Sequence, residues 1–279
     1  MNILRSNLTI IDGHNYLFRA FFGVPEAAET KSGIQINAVY GFFAFLRQMA
    51  AAYPENKIFV VFDSETGTLD KLEEKEDYKF GRDIDAGMFK QLPYIKQILD
   101  LIGIKWVEHP KFEADDVIAS LASAWNGDVY ISSNDFDFVQ IVSSKISLIR
   151  SSGGKLVDCD EKFIKTKFGI YPRQYADYLS MVGDKTDNIV GVKGIGPKTA
   201  SDLLNRYNDL DGVFGRVMEL PRGLQSKLLE GRGIIENNRR FISMKKDIPL
   251  GEIVASEISK VPNEKVHQKI AVHLKNIGL

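Results

Sequence analysis

EADDVIASLASAW, residues 113–125, sets three carboxylates, Glu113, Asp115 and Asp116, just ahead of Val117, Ile118, Leu121, Ala122 and Trp125 at helical spacing. The acids therefore belong to the first turn of an amphipathic helix. A helix N-terminus presents free N–H groups and a partial positive charge, so capping is one reading. Capping accounts for one or two acids rather than three. Glu113 and Asp116 also fall on nearly one face, where they repel each other unless a hard cation shares their oxygens. From this stretch alone capping and metal binding stand equal, and the acids elsewhere in the chain decide between them.

Upstream, residues 57–62 (KIFVVF) read as a buried strand that ends at Asp63, and residues 7–11 (NLTII) as another that ends at Asp12-Gly13. Between them, residues 16–22 and 36–53 carry helical periodicity, and His14 beside the first acid is left open. Downstream, residues 128–132 (DVYIS) form a strand followed by Asp135 and Asp137, whose alternate spacing points both to one side if the turn stays extended. Each acid alone reads as an ordinary turn residue after a strand. As a series they fit a parallel α/β sheet, in which functional groups gather at the carboxyl ends of the strands. Further elements are expected as a helix over 88–102, a strand over 105–107 and strands over 145–150 and 155–158 about a Ser-Ser-Gly-Gly turn. Beyond Glu161 the pattern is helical. Residues 64–87 are dense in charge and poor in aliphatics; in them Lys71, Lys75, Tyr78, Lys79 and Arg82 suit phosphate contact and base stacking, or a solvated salt-bridged helix.

A helix over 171–182 leads to Gly183-Asp184-Lys185-Thr186-Asp187, another acid pair three apart, and then to GVKGIGPKTA at 191–200. A Walker A loop would need glycine directly before lysine and a preceding strand, and Pro197 intervenes. The run reads instead as a hairpin between helices, with glycines free to take positive φ and Pro197 opening the second helix. Backbone N–H groups there, with Lys198 nearby, would grip a phosphate without reading sequence. The last segment, 208–279, reads as several helices, one over 261–277, with Arg222, Lys227, Arg232, Arg239, Arg240, Lys245 and Lys246 as outlying phosphate contacts.

The 279 residues allow one large domain or two unequal ones, and 44% hydrophobic with 26% charged residues is ordinary for a soluble globular protein. The single cysteine, Cys159, permits no intrachain disulfide and has no Cys or His company for a zinc site. His109 and Cys159 are assigned to fold or surface. The N-terminus meets a polar turn too early for a signal peptide, and the apolar run over 38–46 stops at Arg47, so a cytoplasmic protein is expected. A net charge of −1 is unusual for a nucleic-acid binder. Gathering Asp12, Asp63, Glu113, Asp115, Asp116, Asp135, Asp137, Asp184 and Asp187 in one place would leave the remaining surface positive. Oxygen-only ligands select Mg²⁺ or Mn²⁺, and two such ions about 4 Å apart are a recurring device for phosphodiester hydrolysis.

The segments IIDGHNYLFRAFF, VVFDSETGT, DYKFGR, EADDVIASLA, SSNDFDFVQIV and MVGDKTDNIVGVKGIGPKTA, in this order, resemble the flap endonuclease and 5′-3′ exonuclease family, most closely the 5′ nuclease domains of bacterial DNA polymerase I. The resemblance covers about residues 8–245. It implies a mostly parallel PIN-like α/β core over 1–165 with a helical arch near 64–95, and a helical DNA-binding region over 166–279 with a helix-three-turn-helix near 172–207. It implies a monomeric enzyme of replication and repair, hydrolysing DNA near a flap, nick or 5′ end at a junction. By position, Glu113, Asp115, Asp116, Asp135 and Asp137 would hold one Mg²⁺ or Mn²⁺ with Asp12 and Asp63, while Asp184 and Asp187 would place a second. Lys79 and Arg82 match the arch cations at the scissile phosphate, Tyr78 the neighbouring aromatic. Asp116 is the catalytic acid singled out for test. Lys71, Gly191, Gly194, Gly196, Lys198 and Thr199 would contact DNA, with a K⁺ on the carbonyls of residues 191–196. Asp70-Lys71 stands where the family usually has Phe-Arg, and lysine keeps a point charge without the bidentate fork. Val190 and Lys193 replace prolines common in the family hairpin. The competing readings are a junction-binding protein without catalysis and a metal-dependent ribonuclease of related fold.

Overall fold

A computed structural model describes residues 6–25, 35–64 and 86–250. Lys71, Lys75, Tyr78, Lys79 and Arg82, the expected arch and the expected helix over 261–277 lie outside these residues wholly or in large part.

Six strands form the main sheet: β1 (Leu8–Asp12), β2 (Lys57–Phe62), β3 (Lys105–Glu108), β4 (Val129–Ser132), β5 (Ile146–Ser152) and β6 (Lys155–Cys159). Their order is β3-β2-β1-β4-β5-β6, parallel throughout except for the antiparallel β5–β6 hairpin. The chain builds outward from β1 through β2 to β3, then returns to lay β4 on the other side of β1. The carboxyl ends of β1 and β4 thus flank a topological switch point, where an open α/β sheet has its natural crevice.

Alternation along the strands explains the two covered faces, since successive side chains point opposite ways. Ile11, Ile58, Val60 and Phe62 enter one core with helices α1 (Gly13–Gly23), α2 (Asn37–Ala52) and α4 (Leu92–Ile102). Leu8, Ile10, Phe59, Val61 and Ile131 enter the other with α5 (Ala114–Ala124). This second core runs on without a break into the later helices, through Ile170, Leu204, Ile235 and Ile248.

Those later elements are α6 (Glu161–Phe168), α7 (Tyr175–Val182), a two-stranded hairpin of β7 (Gly183–Asp184) and β8 (Ile189–Val190), then α8 (Pro197–Tyr207), α9 (Leu210–Gly215), α10 (Arg222–Glu230) and α11 (Arg232–Ile242). Among the described residues no helix is long and apolar enough to cross a membrane.

Three expectations need correction. The single helix over 88–102 is two, α3 (Ala86–Phe89) and α4, because Pro93 lacks an N–H and suits only a first turn. At the break, the buried Gln91 side chain turns to cap α2, its Oε1 accepting from Ala38 N at 2.9 Å. The helix over 171–182 likewise starts as a 3₁₀ turn at Pro172–Gln174 before α7. Finally, the residues directly before the glycine run, expected to be no strand, are strand β8 of the β7–β8 hairpin.

Candidate metal centre

Asp12 ends β1 and caps α1, its Oδ1 accepting from Asn15 N at 3.0 Å while its Oδ2 accepts from Ser133 Oγ at 2.7 Å. Gly13 follows for a steric reason: a Cβ there would stand 2.3 Å from the Phe62 ring, so only glycine lets α1 leave the sheet so close to β2. Asp12 is 6% exposed. Burial drives its pKa up to about 7, with Asp63 and Asp135 pushing the same way and the bonds from Ser133 and Asn15 pulling down. A carboxylate built so tightly at the switch point is costly as an anion in the absence of a cation.

Asp63, just beyond β2, accepts from Ala114 N at 2.8 Å through Oδ1. The N-terminus of α5 receives a carboxylate from a neighbouring strand, while the Glu113 side chain makes no cap bond. Glu113 is the N-cap residue by backbone position, and Asp115 and Asp116 stand in the first turn. Glu113 and Asp116 are both only 2% exposed, and Asp115 is half-buried beside them. Asp116 Oδ1 accepts from the backbone N–H of Lys245 at 2.8 Å.

His14 belongs to the same corner. The Asp63 backbone N–H donates to its Nδ1 at 2.9 Å, so that nitrogen is an acceptor and the ring is neutral. Burial holds its pKa down, against the pull of Asp63. The 3.7 Å approach of Nδ1 to Asp63 Oδ2 is accordingly a contact between a neutral ring and a carboxylate rather than an ion pair.

After β4 the turn does not stay extended. Asp135 is exposed and its Oδ1 accepts from Asp137 N at 2.9 Å, which winds the chain into a 3₁₀ turn over Asp137–Ile141. Asp137 thereby comes to face the acids of the later hairpin. One oxygen each of Asp137, Asp184 and Asp187 lies within 4.8 Å of the others, a spacing and an oxygen-only donor set that fit a hard divalent cation. The resemblance had put Asp137 with the acids of α5. The structure thus brings Asp137 to Asp184 and Asp187, and Asp12 near Asp63 and Asp135, while Glu113 and Asp116 stand buried on the helix whose first turn Asp63 caps. Residues 133–137 connect Asp137 to Asp12, because Asp135 N donates to Ser133 Oγ at 3.0 Å and that hydroxyl donates to Asp12.

Asp184 and Asp187 stand on the hairpin. Gly183 and Gly191 pass so closely that a Cβ on Gly183 would lie 2.5 Å from Gly191 N, and one on Gly191 would lie 2.2 Å from Val182 O. Val192 N donates to Met181 O at 2.8 Å, and Asn238 Nδ2 donates to both Ser180 O at 3.0 Å and Val190 O at 2.9 Å. The acid-bearing turn is thus clamped from α7 and α11. Of the expected hairpin glycines only Gly194 has positive φ, 82°; Gly191 answers to close approach instead. Lys193, Gly194 and Lys198 are exposed, Gly196 and Thr199 half-buried, and Lys227 Nζ donates to Gly194 O at 3.2 Å. Pro197 is the first residue of α8, as its fixed φ favours.

Two residues that pattern reading passed over belong here. Ser133 carries the hydroxyl joining the Asp135 turn to Asp12, and Tyr175 places a buried phenol near Asp137, Asp184 and Asp135, its pKa raised by burial and by those acids. Neither has a local signal beyond its place next to an acid-bearing turn.

Residues 7–169 match the family described as 5′-3′ exonuclease, N-terminal resolvase-like domain, and residues 170–265 match 5′-3′ exonuclease, C-terminal SAM fold. A 5′-3′ exonuclease of Aquifex aeolicus is 39% identical over 212 residues, covering 74% of this chain and 72% of that protein. DNA polymerase I of Treponema pallidum is 34% identical over 251 residues, covering 88% of this chain but 25% of that protein. The chain thus spans only about a quarter of that longer relative. Among solved structures, the T5 D15 protein co-crystallised with metal ions superposes with a TM-score of 0.72 at 17% identity, covering 96% of this chain and 98% of that one. At that identity the likeness concerns the fold.

Proposed function

This chain belongs to the 5′-3′ exonuclease family, and on that footing we propose that it is a structure-selective 5′-3′ exonuclease and flap endonuclease acting on DNA near single-strand/duplex junctions. The observation that carries the proposal is the approach of Asp137, Asp184 and Asp187, from two separate parts of the chain, to within 4.8 Å of one another as an oxygen-only donor set. Asp12, Asp63, Glu113, Asp115 and Asp116, with Asp135 alongside, would hold one divalent ion. Asp137, Asp184 and Asp187 would hold the other, their facing oxygens supplying a donor set that suits Mg²⁺ or Mn²⁺. Bound there, such ions supply an activated water and stabilise the departing oxygen of the phosphodiester.

The chain's own residues do the rest. Asp63 holds the first turn of α5 against the strand ends, and Ser133 sets the orientation of Asp12. The hairpin and the exposed Lys193 and Lys198 grip one backbone phosphate of the duplex, so that the junction lies over the acids. Lys79, Arg82, Tyr78 and Lys71 are assigned to the strand entering from the 5′ side. K⁺ is proposed on the carbonyls of residues 191–196. Those of Val192, Gly194 and Gly196 accept from Ile195 N, Lys227 Nζ and Ala200 N, which leaves each a second lone pair, and no step is assigned to that ion. The nuclease core over 1–165 and the DNA-binding region over 166–279 are proposed as functional halves of one monomer working in the cytoplasm.

The test is a cleavage assay on end-labelled 5′ flap, nicked duplex, single-stranded DNA and RNA, with Mg²⁺ or EDTA. Flap and nick should be cut only with metal. Asp116→Asn and Asp184→Asn should abolish cutting while still binding DNA in Ca²⁺. Turnover by either variant equal to wild type would refute the assignment, and a preference for RNA would move it to a ribonuclease.

A further inference from the structure

The segment after α11 runs back to the acid-bearing elements themselves. Gln140 Nε2 donates to Ile242 O at 3.0 Å and Gln140 Oε1 accepts from Met244 N at 3.3 Å. Lys245 N then donates to Asp116 Oδ1, and Ser120 Oγ donates to Lys245 O and accepts from Ile248 N, both at 3.2 Å. Asp116 and Ser120 are four apart on one face of α5, while Gln140 stands three residues beyond Asp137 in the 3₁₀ turn. Gln140, Ser120 and Asp116 are all buried, and Ile248 is anchored in the core between them.

From this pattern we infer that residues 243–248 are a positioning strap for the metal centre: the backbone N–H of residue 245 orients Asp116, and the strap ties the element bearing Asp116 to the one bearing Asp137. The inference rests on the metal reading of Asp116. Its physical content is that a ligand oxygen fixed by a second donor is held in the geometry a cation requires, which flexible carboxylates lose. The helical half of the molecule would then complete the ligand geometry of the α/β half as well as holding DNA. The side chain of Lys245 has no part in this; its ammonium lies over the Phe112 ring instead.

The decisive variant replaces the residue-245 amide by an ester, through the α-hydroxy analogue of lysine, which removes the N–H and keeps the side chain. Mn²⁺ affinity read by electron paramagnetic resonance should fall roughly 10- to 100-fold, as for other outer partners of metal ligands. The kcat should fall with it, while KM and DNA affinity in EDTA stay at wild-type values. Ser120→Ala, which loosens the strap but leaves the 245 amide intact, should lower Mn²⁺ affinity by less. Should the ester fail to fold, Ser120→Ala decides alone, and unchanged Mn²⁺ affinity in it would overturn the inference. An ester with Mn²⁺ affinity and kcat like wild type also overturns it, provided Asp116→Asn is inactive. If Asp116→Asn itself binds Mn²⁺ and turns over normally, the metal reading falls instead.

Discussion

Replacing Asp12 by asparagine should stabilise the metal-free protein at neutral and alkaline pH, although it removes a proposed ligand. In the unfolded chain the Asp12 carboxyl releases its proton near 3.8, whereas in the folded protein burial holds that proton until about pH 7. Between those values the folded state binds more protons than the unfolded state, so the Asp12 contribution to stability falls as pH rises. It is fully favourable below 3.8 and is lost above about pH 7. With each pH unit worth about 1.4 kcal/mol, the swing is on the order of 4 kcal/mol. Asparagine has nothing to ionise and is nearly isosteric. Its carbonyl can still accept from Asn15 N, and the Ser133 hydroxyl can rotate to accept from the new amide. Urea denaturation in EDTA, run from pH 4 to pH 8, should show wild type and Asp12→Asn alike at the acid end and the variant more stable by several kcal/mol at the alkaline end. Mg²⁺ or Ca²⁺ should reverse the ranking at pH 8, because only the wild type presents the carboxylate. A difference that stays constant across pH, or a variant less stable at pH 8 in EDTA, would refute the reasoning.

Gly183→Ala should destabilise by about 1–3 kcal/mol, since φ is 88° there and the added methyl would meet Gly191 N; Mn²⁺ affinity of the Asp184 group should fall with it, and a variant as stable as wild type in urea would contradict this. Asn238→Leu leaves the buried carbonyl of Ser180 and the part-buried carbonyl of Val190 short of a donor and should cost about 1–3 kcal/mol, measured by the same titration. Lys198→Ala should weaken duplex binding at any sequence and lower the salt-dependence slope by about 1, with Mn²⁺ affinity unchanged. An unaltered slope would remove Lys198 from the phosphate contacts.

The sheet is legible in the sequence because its inner strands are short apolar runs, the signature of a buried parallel strand, and because Asp12, Asp63 and Asp135 mark the turns at or just after three of them. The acidic helix is legible for the same reason, from the period of Val117, Ile118 and Leu121. What local pattern cannot carry is the partner of each acid. That Asp63 caps α5, that Ser133 reaches Asp12 and that Lys245 N reaches Asp116 depend on contacts between residues 51, 121 and 129 positions apart. The placement of Asp137 shows the same limit at short range. Alternation predicts it beside Asp135, but the Asp135 side chain captures the Asp137 N–H and turns the backbone, which delivers Asp137 to Asp184 and Asp187. Gln91 is a further case, an unremarkable glutamine by sequence that caps a helix through the N–H of Ala38, 53 residues earlier.

Crystals soaked in Mn²⁺ test most directly whether these carboxylates form one metal centre. Anomalous difference maps should show two peaks, one among Asp12, Asp63, Glu113, Asp115 and Asp116 and one among Asp137, Asp184 and Asp187, each lost in the matching Asp→Asn variant. Peaks elsewhere on the surface, with none at the carboxyl ends of β1, β2 and β4, would contradict the account.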